Sequence, residues 1–174
     1  MGRANMIKSS QLNKGDNMKR LIQFCVAMVI SFLPGIFGVF FTPHGDSDIW
    51  YMALNKSGLT PPGAVFGAAW TILYALLGFA LFLVIKSVRG KSEKAMAYVL
   101  FVVQMLLNAC WSYLFFGLHL TGFALVVLLG LFIVSIWMAR VFDGIDRKAM
   151  LLVIPYLLWM MFAFYLNAYI VLMN

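Results

Sequence analysis

The side chains that could do chemistry inside apolar surroundings are few, and they recur at helical spacing. Phe66, Trp70 and Tyr74 follow one another at four-residue steps. Gln104, Asn108, Trp111 and Phe115 form a second stripe. Pro155, Trp159, Ala163 and Asn167, with Tyr156 alongside, form a third. Residues three or four apart share one face of a helix, so each stripe aims rings and amides in one direction. Such groups exchange hydrogen bonds and offer flat apolar faces. The stretches that carry them contain no Asp, Glu, Lys, Arg or His. Proton relays, ion pathways and voltage sensors need ionisable groups at depth. Metalloenzymes need a His/Asp/Glu cluster, and hydrolases a nucleophile beside a base. None of these patterns is present, and no metal site is expected.

An amide in hydrocarbon is costly without a partner, so Gln104, Asn108 and Asn167 should face an interior. Trp111 and Trp159 should turn inward with them. Two readings are open. The amides can simply join helices while the tryptophans pack or anchor at the interface. Alternatively, they line an apolar pocket with a few polar groups, shaped for a large flat lipophilic ligand. His44 and His119 fall in loops; either can ligate a haem iron, although a lone loop histidine is usually just solvated.

The elements that must position these residues follow from composition. The chain has 174 residues, 64% hydrophobic and 11% charged, where a soluble domain averages about 45–50% apolar and about 25% charged. Five uncharged stretches, 21–41, 64–85, 95–116, 120–139 and 149–173, separate the charges. About 20 helical residues cross the ~30 Å hydrocarbon core. An isolated strand in lipid would leave its backbone unpaired, and the runs are too continuously apolar for a membrane barrel. The expected fold is all-α: a polytopic integral membrane protein built as a bundle of five transmembrane helices.

A basic tail over 1–20, its first 17 residues polar and disordered, precedes a membrane domain over 21–174. The first stretch is too long for a signal peptide core and lacks a cleavage site. Nine-residue loops are expected at 86–94 and 140–148, and Gly117-Leu118-His119 makes a tight hairpin. Only the loop over 42–63 is long, and long ordered loops tend to be functional. Gly63 and Gly67, overlapped by Ala64 and Ala68, form a ridge of small residues suited to close helix pairing, within the bundle or between two copies. Cys25 and Cys110 both lie in apolar runs, so no disulfide framework is expected.

At this point the ordered motifs resemble the translocator protein family, TspO/MBR, over about residues 30–174. They are Pro34-Gly35 with Gly38, Trp50-Tyr51-x-x-Leu54-x-Lys56, Pro61-Pro62, and Phe66-x-x-x-Trp70-x-x-x-Tyr74. Gln104-x-x-x-Asn108-x-x-Trp111 with Phe115-Phe116, Pro155-Tyr156-x-x-Trp159 and Leu166-Asn167 complete the set. The family usually has Pro after the loop lysine and Trp two residues later, where this chain has Ser57 and Leu59.

The resemblance implies a bundle that is commonly dimeric, here a homodimer, with a pocket near the first loop. Its ligands would be tetrapyrroles such as protoporphyrin IX or haem and drug-like lipophilic molecules, with no obligatory cofactor. Carried over, the pocket positions are Tyr51, Trp70, Asn108, Trp111 and Trp159. Trp50, Phe66, Tyr74, Gln104, Pro155, Tyr156 and Asn167 would support them. Tyr51 would belong to a loop folded over the opening, Trp70 and Trp159 would sandwich the ligand, and Asn108 would make a polar contact. The implied function is a tetrapyrrole carrier, sensor or scavenger. One alternative is an enzyme degrading protoporphyrin in light, with Trp70 and Trp159 as its redox partners; another is a structural or regulatory membrane partner without a ligand. Animal members are credited with a sterol motif ending in a basic residue. No Lys or Arg follows Tyr156, Tyr165 or Tyr169 here.

Basic residues set the expected orientation. Twelve of the thirteen Lys and Arg fall in the N-terminus, the second loop and the fourth loop; the opposite side holds only Lys56. This places the N-terminus in the cytoplasm and the C-terminus outside, in what is expected to be a bacterial cell membrane. The basic excess then meets anionic membrane lipid, and no nucleic-acid partner is expected. A reporter active only outside the cytoplasm should be active when fused after Asn174 and silent when fused between residues 86 and 94. The reverse pattern would sink the orientation.

Overall fold

A computed structural model describes residues 2–42 and 48–174, with side chains from residue 15 onward. Helix α1 spans Gly2–Val39, α2 Ile49–Ala53, α3 Gly63–Lys86, α4 Lys91–Ser112, α5 Thr121–Ile145 and α6 Arg147–Met173. A π-helical turn, Tyr113–Gly117, continues α4. Five helices, counting α1 from Gly15 and α4 with its π turn, are long and apolar enough to cross a membrane. The protein is an all-α, multi-pass membrane protein.

Helix ends differ from those expected from charge alone. The α1 helix reaches back to Gly2 through the segment expected to be a disordered tail. That segment has no proline, and extending an existing helix costs far less than nucleating one. The loop expected over 140–148 shrinks to Asp146, whose carboxylate caps α6 by accepting from Lys148 N at 2.8 Å. Arg140, Asp143, Arg147 and Lys148 all lie on helix. Long basic side chains reach interfacial water while their backbone stays helical, so charge marks the membrane boundary and not the helix end. The second connection shortens in the same way. Lys94 lies inside α4 and donates to Ile85 O at 3.0 Å and Ser87 O at 2.6 Å, closing the C-terminus of α3.

Around the bundle the helices pack in the order α1, α3, α6, α5, α4 and back to α1. Glycine sets the closest approaches of α1. A Cβ on Gly35 would lie 2.6 Å from the Tyr74 ring, and one on Gly38 would lie 3.2 Å from Ser112 Oγ. On α3, a Cβ on Gly78 would meet Met28 Sδ at 2.7 Å and Ser31 Oγ at 2.8 Å. The ridge expected to mediate helix pairing is elsewhere. Gly63, Ala64, Gly67 and Ala68 are exposed, and added Cβ atoms on the two glycines would meet open space. They take no part in packing the bundle.

This contrast is measurable. Gly35→Ala should lower the thermal stability of the detergent-solubilised protein by about 1–3 kcal/mol, the usual cost of overpacking. Gly67→Ala should leave it unchanged or raise it slightly, since alanine is the better helix former. Equal effects at the two positions would contradict the α1–α3 packing.

Candidate functional site

The site grows from a polar knot in an apolar interior. The Tyr156 side chain on α6 is fully buried, and its hydroxyl oxygen accepts from two amides of α4. These are Gln104 Nε2 and, at 3.0 Å, Asn108 Nδ2. The Tyr74 hydroxyl on α3 donates to Asn108 Oδ1 at 2.7 Å. A second link stands nearer the opposite end of the bundle from the basic residues. Trp111 Nε1 donates to Asn167 Oδ1 at 3.1 Å, and Asn167 Nδ2 donates to Thr121 O at 3.0 Å. All three amides expected to turn inward are buried. Two buried atoms, Gln104 Oε1 and Trp159 Nε1, have no partner among the described residues.

Aromatic rings fill the space beside this knot. Phe66 contacts both Trp70 and Trp159, its ring centroid 6.2 Å from the first and 5.6 Å from the second, tilted to them by 58° and 57°. Trp70 in turn contacts Tyr74 at 5.4 Å and Trp111 at 6.5 Å. The Phe66 ring thus links Trp70 and Trp159. Adjacent to it is a cavity of about 30 Å³, room for a water or so. Its apolar wall includes Tyr51, Phe66, Trp111, Phe115 and Phe116, with Thr60 and Asn167 as polar points. The π turn explains how two consecutive phenylalanines both face inward. Widening the last turn changes the angular step between residues, and Phe115 and Phe116 end up 5.3 and 5.8 Å from Trp111.

The segment before α3 forms a strap across this end. Asp48 caps α2 by accepting from Tyr51 N at 2.9 Å. Trp50 stacks on His119 at 3.8 Å and 9°, with His119 in the left-handed region at φ 59°. Tyr51 packs edge-on against Phe116. Burial pushes the Tyr51 phenol above its ordinary pKa, so it stays neutral. Farther along, Asn55 N donates to Asn174 Oδ1 at 2.9 Å, and Asn174 Nδ2 returns a bond to Asn55 O at 3.3 Å. Ser57 Oγ and Tyr165 Oη lie 2.9 Å apart. Ser57 stands where the related pattern has proline, so its hydroxyl makes a tie that proline cannot; Leu59, at the other departure, is exposed.

The expected pocket residues divide into two layers. Tyr51 and Trp111 stand on the cavity wall, with Phe66 and Asn167 from the supporting set. Trp70, Asn108 and Trp159 lie behind it. Asn108 bonds a tyrosine through each polar atom, which leaves one N–H and one oxygen lone pair of its amide unused. Trp50 belongs to the strap, and Tyr74, Gln104 and Tyr156 belong to the knot. Pro155 corrects the expectation: it is exposed, and Tyr156 takes the inward direction. Thr60, Leu166 and Ile170 were not anticipated. Leu166 and Ile170 follow Ala163 at helical steps and were legible in principle; Thr60 carries no such signal. His119 stacks on Trp50, while His44, the other histidine considered for haem, lies outside the described residues.

The knot predicts an ordering of variants. Tyr156→Phe strands two buried donors, and Tyr74→Phe strands one acceptor; each unsatisfied group costs about 1–3 kcal/mol. Melting in detergent should therefore fall further for Tyr156→Phe than for Tyr74→Phe, and the opposite order would refute this arrangement.

Comparison with known proteins gives the family of the chain. Residues 25–173 match the TspO/MBR family. A tryptophan-rich protein TspO from Chlorobaculum tepidum is 37% identical over 158 residues, covering 90% of this chain and 98% of the relative. Its counterpart from Archaeoglobus fulgidus is 38% identical over 150 residues, 86% and 95% of the two chains. The human translocator protein is 35% identical over 125 residues, 71% and 74% of the two chains. With a family match over residues 25–173 and relatives 35–38% identical, the protein belongs to the TspO/MBR family.

Proposed function

We propose that the protein is a membrane-embedded binding protein for tetrapyrroles such as protoporphyrin IX or haem and for other flat lipophilic molecules, acting as carrier, sensor or scavenger. One observation carries the reading. Phe66, a wall residue of an aromatic-lined cavity with isolated polar points, contacts both Trp70 and Trp159. A flat ligand ring that takes the place of Phe66 would recover aromatic contact with both tryptophans. The human relative's name, a translocator, is compatible with a carrier. In the proposed orientation the site lies at the outer end of the bundle, remote from the twelve basic residues.

The cavity of about 30 Å³ is too small for any tetrapyrrole. In this reading a tetrapyrrole displaces Phe66 and lifts the strap as it enters. Loss of the strap ties should speed association.

Protoporphyrin IX should quench tryptophan fluorescence saturably in the dark. Trp70→Ala and Trp159→Ala should each weaken binding by about 1–3 kcal/mol, the range for a lost aromatic or apolar contact. Trp137→Ala, on an exposed face, should change it little. Equal losses at all three would indicate general destabilisation, and absence of saturable quenching would favour a structural partner without a ligand. Repeating the titration under light separates binding from degradation: loss of Soret absorbance that requires Trp70 or Trp159 would make the protein an enzyme.

A further inference from the structure

At the end of the bundle that carries the basic residues, α1 and α3 share an outward-facing aromatic seam. The two helices run antiparallel there. Gly78 meets Met28 and Ser31, and nearer the basic end Phe24 lies edge-on to Phe79 at 5.1 Å and to Phe82 at 5.6 Å. One further turn along each helix stands a cation. Arg20 lies four residues before Phe24 and Lys86 four after Phe82, so each shares a face with its ring. Lys86 Nζ is 5.5 Å from the centroid of the Phe82 ring, and Arg20, Phe79 and Lys86 are exposed. Among the described residues the only ion pair is Arg89–Glu93. Neither Arg20 nor Lys86 therefore has a carboxylate partner, although Asp16 lies one turn before Arg20.

We propose that this seam holds one anionic phospholipid, its phosphate at Arg20 and Lys86 and its upper acyl carbons against Phe24 and Phe79. The span formed by α3 ends at Lys86, so the two cations stand at headgroup level while the rings stand in hydrocarbon. The occupant must carry an anion and an apolar tail on one molecule, which a phospholipid does and a free phosphate does not. Two unpaired cations also favour a net negative headgroup over a zwitterionic one, whose own ammonium adds like charge beside them. The ring under Lys86 restricts its ammonium before the lipid arrives, which lowers the entropic cost of pairing. One effect opposes binding: the C-terminus of a helix carries partial negative charge, and α3 ends here. Lys94 offsets it from α4, donating to Ile85 O at 3.0 Å and Ser87 O at 2.6 Å.

Native mass spectrometry of the full-length protein in neutral detergent counts retained lipids directly. Phosphatidylglycerol and phosphatidylcholine with identical acyl chains would be titrated separately. The unaltered protein should retain one phosphatidylglycerol in preference to phosphatidylcholine. Arg20→Gln combined with Lys86→Gln should weaken phosphatidylglycerol binding by roughly thirtyfold, the effect of two cations at a membrane surface, and abolish the preference. Lys91→Gln combined with Lys148→Gln removes the same charge from the same end and should leave binding unchanged. Equal retention of the two lipids by the unaltered protein overturns the site. Equal losses in the two double variants overturn it as well, because the attraction would then be diffuse charge and not a seam. Glycerol phosphate, the anion without tails, should fail to displace the lipid; displacement at equal concentration would mean that the surface binds an anion and not a phospholipid.

Discussion

Everything in this bundle depends on where its buried polar groups find partners. Hydrocarbon supplies no hydrogen bonds, so an unpaired amide between helices is a standing penalty. The sequence puts two amides on α4, at Gln104 and Asn108, and a tyrosine on each of two facing helices. Pairing them sets the rotation of α3, α4 and α6 together. Gln104 and Asn108 meet at one hydroxyl, Tyr156, and Tyr74 closes on Asn108 from the far side. Rotating any of the three helices by one residue, about 100°, would strand at least one of these groups. Once the rotation is set, the rings three and four residues away have no choice of direction. Trp70 follows Tyr74, and Trp111 follows Asn108.

Close packing then delivers α1. Gly35 leaves the space into which the Tyr74 ring projects, so the same tyrosine belongs both to the knot and to the α1–α3 contact. The bundle core and the candidate site are consequently not separate constructions. Asn167 joins them at the other end, taking the Trp111 indole on one side of its amide and the start of α5 on the other.

Much of this was legible in the sequence because lipid makes the code simple. Uncharged runs of about 20 residues give the spans, and amides in those runs must turn inward. What was not legible has identifiable causes. Pro155 and Tyr156 are adjacent, and a stripe counted back from Asn167 admits both; the choice between them belongs to the amides of α4, distant in sequence. The two small-residue sets, Gly35 with Gly78 and Gly63 with Gly67, look equally suited to helix contact, and only the assembled bundle separates them. The π turn leaves no periodic trace, although it brings Phe115 and Phe116 to the same wall. The strap is held by pairs such as Asn55 with Asn174 and Trp50 with His119, which no local pattern links. The partners of Asn108, Tyr74 and Tyr156, lie on other helices, and no spacing along α4 reveals them.

In the binding reading, ligand entry meets two kinds of cost, and they act differently. The strap contacts, Trp50 on His119 and Asn55 with Asn174, do not involve Phe66, Trp70 or Trp159. They can break to admit a ligand and re-form over it. Interactions present both before and after binding cancel from the affinity and act on the rates in both directions. The contacts of Phe66 with Trp70 and Trp159 cannot re-form while another ring takes its place. Its loss is therefore subtracted from the intrinsic affinity, as with any site whose competent state is only fractionally populated. A ligand must offer more aromatic surface than one phenyl ring to bind with net gain. This favours large flat ring systems over small aromatic molecules without any polar discrimination by the rings. Size selection thus comes from the plug within the bundle, and chemical selection is left to the polar points at its rim.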